Sequence, residues 1–416
     1  MNKSNNKIER RLKILQSNDE IVKEKQIIFD LKENKELNHK EDLSMKFKFV
    51  GIGAAGNKAA MELIHSGVAT EDDIILVNST DKDIPKEFGG SVIILSPSNN
   101  GCGKERSIAK EYAICAMKSG SFDKLFNDVE SVLVITSVEG GTGSGSTPII
   151  SEYISKVLGK NIHIVAFTGF EEDVRGLQNT IEFFQEINFE ADVQAIRNAA
   201  FMPLTKNNKY KAEKLANEEF VERTKVLLGL NLIDSTQNID DTDIFKVVST
   251  TGYKTIETIK FDTNLIDVED FNKLCKQMIY NSKSLKSENG QLRLGVILNL
   301  RPESEDAIDS SFKIIKDEYG IPYECFQHMQ YDGGQQYITF ISSGMKMPLK
   351  EVKAIHERYL KATEVVDKKS DDFFNEISKL QKEKEDSKFD MIRSENIKPT
   401  EDKSNFFKKF ETKPSK

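Results

Sequence analysis

The sequence holds only four cysteines, and none belongs to a CxxC pair. Cys102, Cys115, Cys275 and Cys325 are scattered, which argues against a structural zinc site and a disulfide framework and suits a reducing cytoplasm. Basic residues are not in surplus either, since 59 Lys and Arg face 67 Asp and Glu for a net charge of -8. A generally basic surface that coats nucleic acid is therefore not expected, because phosphate binding needs clustered cations in excess, and any DNA link is local or indirect. Long apolar runs are missing. The longest resemble Val132 to Ile135, and neither an 18-residue apolar stretch nor a signal-type segment follows the polar N-terminus, so a cytoplasmic chain is expected. His39, His65, His163, His328 and His356 share no ligand spacing, and His163, inside a strand-like run, reads as a core residue. No Ser/His/Asp nucleophile can be assembled. A Walker A sequence, GxxxxGK followed by Ser or Thr, is also absent.

What is there is a chain of 416 residues, 38% hydrophobic and 30% charged. At roughly 100 to 200 residues per domain, that is room for two domains plus tails. Residues 1–45 mix both charge signs with widely spaced apolar residues and read as an arm. From Lys46 onward, strand-like runs at Phe47 to Gly51, Ile74 to Asn78, Val92 to Leu95, Val132 to Thr136, Ile162 to Phe167 and Ala199 to Leu204 alternate with helical segments. Near-continuous apolar strands between helices predict a parallel, Rossmann-like α/β sheet covered on both faces. A long helical pattern from about Lys211 to Leu228 ends at Gly229 and closes this first domain, residues 46–230. Residues 231–347 read as a smaller α+β domain, with a strand at Leu292 to Leu300, a helix at Ile308 to Tyr319 and a strand at Gln336 to Ser342. Pro348 then opens a helix with apolar residues near 3.6 spacing, expected over 348–390. Residues 391–416 form a basic and aromatic tail that includes Phe406, Phe407, Lys408, Lys409 and Phe410.

Gly51-x-Gly53-x-x-Gly56, after a strand and before a helix, is the dinucleotide fingerprint, where missing Cβ atoms let backbone amides approach a phosphate. A nicotinamide-dependent oxidoreductase is one reading of it. That reading wants Asp or Glu closing the second strand, which here ends Asn78-Ser79-Thr80. A second loop, Glu139 to Ser146, interleaves glycines with hydroxyls and makes a nest of N–H groups at a helix start. The third, Asn100 to Arg106, contains Gly101 and Gly103 and also precedes a helix. Three such loops in one sheet point to a nucleoside triphosphate.

These residues resemble the tubulin and FtsZ superfamily, whose signature GGGTG-Ser/Thr-G is matched by Gly140 to Gly145, with Glu139 in place of the first glycine. The similarity covers about residues 46–366 and is nearest to the plasmid- and phage-borne TubZ-type segregation proteins. GCGKER at Gly101 to Arg106, EGGTGSGSTP at Glu139 to Pro148, NNK at Asn207 to Lys209, NEEF at Asn217 to Phe220 and NFFKKF at Asn405 to Phe410 carry it. The resemblance implies GTP with Mg²⁺. Phosphates would lie on Gly53, Ala54, Ala55, Gly56 and Asn57 and on Gly140, Gly141, Thr142, Gly143, Ser144 and Gly145, with Gly101 and Gly103 alongside. Glu171 and Arg175 fall at the family's sugar-contacting positions, and Asn207 or Asn208 with Asn217 where the guanine edge is read; a cap for the following helix is the alternative reading of Asn207 and Asn208.

Asn238-Ile-Asp240-Asp241-Thr242-Asp243 resembles the family's acidic loop. Two carboxylates on a turn polarise water near a terminal phosphate but sit poorly beside phosphates at rest. In the family that loop enters the next subunit's pocket, so hydrolysis requires polymerisation, with Asp240 and Asp243 activating water and Asn238 facing the nucleotide. Taken alone, such a turn is an ordinary solvated cap; a calcium loop is a poor match because the EF-hand Gly and closing Glu are missing. The expected function is a GTPase that forms dynamic filaments and segregates plasmid or phage DNA, its tail meeting a DNA-bound adaptor. A phage spindle or division filament is the alternative with the same chemistry.

Overall fold

The computed structural model describes residues 46–187, 191–233, 241–264, 267–287, 290–307, 313–363, 402–408 and 410. The N-terminal arm, Asn238 and Asp240, residues 364–390 of the expected C-terminal helix and Lys409 lie outside them. Six strands run parallel: β1 (Phe47–Ile52), β2 (Ile74–Asn78), β3 (Ser91–Ile94), β4 (Ser131–Ser137), β5 (Asn161–Thr168) and β6 (Asp192–Arg197). Four more follow, β7 (Gly252–Phe261), β8 (Arg293–Asn299), β9 (Glu324–Gln330) and β10 (Gln336–Met345), and all ten form one sheet in the order β3-β2-β1-β4-β5-β6-β7-β10-β8-β9.

The parallel half has the doubly wound order 3-2-1-4-5-6, so the chain reverses direction across the sheet between β1 and β4. That switch point opens a crevice at the carboxyl ends of the strands, the general ligand position of such sheets. Val50 and Ile52 of β1 and Val132, Val134 and Ile135 of β4 are fully buried, each worth about 1.5–3 kcal/mol of burial. The two central strands are thereby fixed beneath the crevice.

Helices α1 (Gly53–His65), α2 (Arg106–Lys118), α3 (Gly141–Lys156) and α4 (Val174–Glu186) follow β1, β3, β4 and β5. The long α5 (Lys209–Leu227) ends as its sequence predicts: Gly229 takes φ +67°, its N–H bonds Val226 O, and Leu230 N–H bonds Lys225 O at 2.9 Å, a left-handed glycine closure. Beyond it come α6 (Asp241–Val248), α7 (Val268–Tyr280), α8 (Lys313–Tyr319), α9 (Leu349–Thr363) and the short α10 (Lys403–Lys408). α9 lays Ile355 against Leu177 and Ile181 of α4.

One expected strand is corrected. Ala199 to Leu204 is not extended but forms two 3-10 turns, Asn198–Phe201 and Pro203–Thr205. Pro203 has no N–H for a ladder, and the strand lies just upstream as β6. β6 and β7 join the two halves of the sheet through only two register pairs, Asp192↔Gly252 and Val193↔Tyr253. A buried ion pair reinforces that seam: Lys254 Nζ donates to Asp192 Oδ2 at 2.6 Å, both side chains 2% exposed or less. His163 of β5 lies 3.0 Å from the same Asp192 oxygen and is a core residue.

Candidate functional site

The three glycine loops meet at the switch point, and the clearances of their glycines show how closely. A Cβ on Gly53, which holds φ +77°, would lie 3.1 Å from the backbone nitrogen of Gly143, so the first loop abuts the signature loop. One on Gly141 would lie 2.8 Å from the Lys104 backbone, and one on Gly145 would lie 2.6 Å from Arg106 O, so the third loop abuts the signature loop from its other side. Gly56 lets α1 rest directly on β4, where a Cβ would come within 2.3 Å of Ile135 O. Ser79, just past β2, adds a hydroxyl contact of 2.9 Å to Thr142.

The first turns of α1 and α3 both open here, which aims two sets of uncommitted N–H groups and two positive helix ends at one place. Asn57, on the first of these helices, is 1% exposed, yet neither its Oδ1 nor its Nδ2 has a hydrogen-bond partner among the described residues. A buried amide in that state is costly unless something else satisfies it. The loops and the orphaned amide therefore fit an anionic, hydrogen-bonding ligand.

Behind the phosphate-type loop stands Arg106, a residue whose importance the sequence hides. Pro148 sits inside α3 and has no N–H to give to Ser144 O, four residues back. Arg106 Nη2 supplies the missing donor at 2.9 Å. The same guanidinium, 3% exposed, reaches Glu182 and Glu186 of α4 at 2.8 Å each. The one sign in the sequence is a proline eight residues into a helical stretch, which calls for a donor from elsewhere in the fold.

Glu139 does not intrude on the signature loop. Its side chain packs against Gly169 and Gly176, where Cβ atoms would come within 1.9 and 3.3 Å of it, and Oε1 accepts the Glu171 N–H at 2.8 Å. Burial pushes this carboxyl above its ordinary range, with the Glu171 hydrogen bond opposing the shift. Glu171 itself holds φ +59°.

The segment Glu171–Arg175 is a hub of ion pairs. Asp173 accepts from Lys104 at 2.6 Å, which holds the Asp173 carboxyl below its usual range, and Arg175 pairs with Glu105. Glu171 pairs with Arg358 of α9 at 2.5 Å, and Glu172 pairs with Lys209 at the start of α5. The third loop, the two helices and the β5–α4 connection are thus tied around the crevice. Glu171 and Arg175 are engaged with protein partners, which compete with a ligand contact from either.

Among the asparagines, Asn208 is the N-cap of α5, its Oδ1 accepting Lys211 N–H at 3.0 Å, as the cap reading anticipates. Asn207 is exposed with φ +61°, and Asn217 is half-buried on α5, which packs beside α1. Asp243 lies in the first turns of α6, 3.3 Å from Lys246. The far end of that helix is held by buried cations: Lys254 Nζ donates to Val248 O, and Arg293 Nη1 donates to Lys246 O at 2.9 Å. All four cysteines are unpaired, and no helix among the described residues is long and apolar enough to cross a membrane.

Comparison with known proteins agrees with this geometry. The family model for the GTPase domain of the Tubulin/FtsZ family matches residues 46–204. Cell division protein FtsZ 1 of Methanocaldococcus jannaschii is 24% identical over 225 residues, 53% of this chain and 61% of that protein. The tubulin-like protein TubZ of Clostridium botulinum C phage is 26% identical over 214 residues, 49% of this chain and 57% of that one. The match thus spans about three fifths of these relatives' own length. In fold, the GTPγS-bound protofilament structure of CetZ2 from Haloferax volcanii superposes with a TM-score of 0.62 at 17% identity, covering 77% of this chain and 100% of that one. The sequence match to the GTPase domain of the Tubulin/FtsZ family thus lies on residues 46–204, and the likeness of fold extends over most of the chain.

Proposed function

We propose that this chain binds GTP with Mg²⁺ and hydrolyses it within head-to-tail filaments that move or position plasmid or phage DNA through an adaptor protein. The observation that supports this most is the meeting of three glycine loops at the switch point, with Gly53 against Gly143 and Gly141 against Lys104. Backbone N–H groups of Gly53 to Asn57 and of Gly140 to Gly145 would take the phosphate oxygens, and the partnerless Asn57 amide fits a polar ligand there. Mg²⁺, when bound, neutralises charge on the terminal phosphates, and phosphate oxygens and water supply most of its ligands. Asn207 and Asn217 would read the guanine edge, Asn208 being occupied as a cap. Glu171 and Arg175 would meet the sugar in competition with their ion pairs.

The acidic loop belongs, in this reading, to the pocket of the next subunit. Asp243 and Asp240 would orient water on the terminal phosphate, and Asn238 would face the nucleotide. A translational contact of that kind continues into an open filament, and the protofilament form of the CetZ2 relative supports it. Division or spindle filaments share this chemistry and differ in cargo.

GTP turnover per molecule, measured against protein concentration with light scattering alongside, tests the proposal. Turnover is expected to rise together with scattering. Full-rate hydrolysis by dilute, non-scattering protein would end it.

A further inference from the structure

The aromatic tail does not lie free. Phe406 and Phe407 of α10 are 0% and 8% exposed, and both rings pack on Tyr153 of α3, at centroid distances of 5.4 and 5.8 Å. Phe410 closes over Phe406 at 5.6 Å, and Lys118 of α2 sits 5.7 Å over the Phe407 ring. At the rim, Asp123 accepts from both the Tyr153 hydroxyl and Lys403 Nζ, each at 2.5 Å. A tail with two adjacent phenylalanines and a lysine three residues before them therefore meets a groove with a matching aromatic floor and a matching carboxylate.

We propose that the α2–α3 groove is a docking site for the chain's own C-terminal segment, and that docking in cis withholds the aromatic tail from other proteins until a partner displaces it. The energetic balance favours a reversible latch. Burial of two rings and one partly exposed ion pair is set against the ordering of a six-residue helix, and these terms are of similar size. The covalent tie to α9 keeps the segment's local concentration high, so a modest affinity suffices for occupancy. A partner must then compete for Phe406 and Phe407, which the proposed adaptor role needs exposed. The latch itself depends on neither nucleotide nor filament.

Amide hydrogen exchange of the full chain without nucleotide tests it. Residues 405–408 are expected to exchange about tenfold or more slowly than in a free peptide of residues 399–416, with the same factor at low and high protein concentration. Lys403→Glu and Asp123→Lys should each reduce that protection roughly threefold, and the two together should restore it. Because the chain contains no tryptophan, Phe407→Trp supplies a single fluorophore whose emission is expected to be blue-shifted relative to the peptide. Exchange at the free-peptide rate overturns the proposal. So does protection that grows with protein concentration, which would place the tail on a second copy.

Discussion

Glu139 Oε1 accepts the backbone N–H of Glu171 at 2.8 Å, joining the edge of the signature loop to the hub of ion pairs beyond β5. The residue that breaks the glycine signature is thus a tether between two walls of the crevice. Its space comes from two other glycines, Gly169 and Gly176, where side chains would collide with it. A departure from the family pattern at one position is matched by small residues at two distant ones.

That matching is measurable as coupling. Gly169→Ala sets a Cβ 1.9 Å from Glu139 Oε2 and is expected to cost about 1–3 kcal/mol through overpacking. Glu139→Gly in the same chain removes the colliding group, so the double variant should recover more than half of the loss. Urea-unfolding midpoints of the four chains of this cycle give the interaction directly. Additive losses would show that the two sites do not constrain each other.

The raised Glu139 carboxyl also sets a direction for pH dependence. Burial makes the folded protein hold this proton more tightly than the unfolded chain, whose carboxyl titrates near its ordinary value of ~4.3. Between that value and the raised one the folded state carries more protons, so this group's contribution to stability falls as pH rises through the window. Glu139→Gln keeps an acceptor for Glu171 without a charge to desolvate. It is expected to flatten this part of the stability profile and to be at least as stable as the parent near pH 7, as read by urea midpoints from pH 4 to 8.

The glycine loops were legible in the sequence because their chemistry is local: a strand, a run of residues without Cβ, then a helix. The partners that tie them were not, since Lys104 and Asp173, or Arg106 and Glu186, meet only after tens of residues of intervening fold. β6 escaped for a related reason. Its Asp192 and Gln194 are polar yet 1% exposed, and nothing in Asp192–Arg197 announces that Lys254 and His163 wait inside the protein for the first of them. The tail's aromatic and basic character could be read off directly, whereas its seat on Tyr153 could not.

The seam between β6 and β7 offers a sharper test of buried charge. Lys254→Met leaves Asp192 without its cation and Val248 O without its donor, and is expected to cost about 3–5 kcal/mol. Adding Asp192→Asn removes the stranded charge and should return roughly 1–2 kcal/mol. Because Lys254 also holds the carboxyl end of α6, Lys254→Met should loosen amide protection across Asp243–Val248 more than across α1. Equal loosening of both helices, seen by hydrogen exchange, would show that the pair stabilises the fold without positioning α6.

Asp243 is where the proposed chemistry meets the structure. It sits near the start of a helix whose other end is fixed by Lys254 and Arg293, so its position is set from within the core while Lys246, 3.3 Å away, balances its charge. Removing a group that orients water should lower the chemical step by roughly 10²-fold or more while leaving the pocket that holds nucleotide intact. Asp243→Ala is therefore expected to bind GTP with unchanged affinity, to assemble at the same protein concentration, and to form filaments that persist because turnover has slowed. Equilibrium nucleotide binding, sedimentation and phosphate release separate these three quantities. A fall in affinity without a slower chemical step would place Asp243 in its own subunit's nucleotide pocket and refute its assignment to the neighbour's.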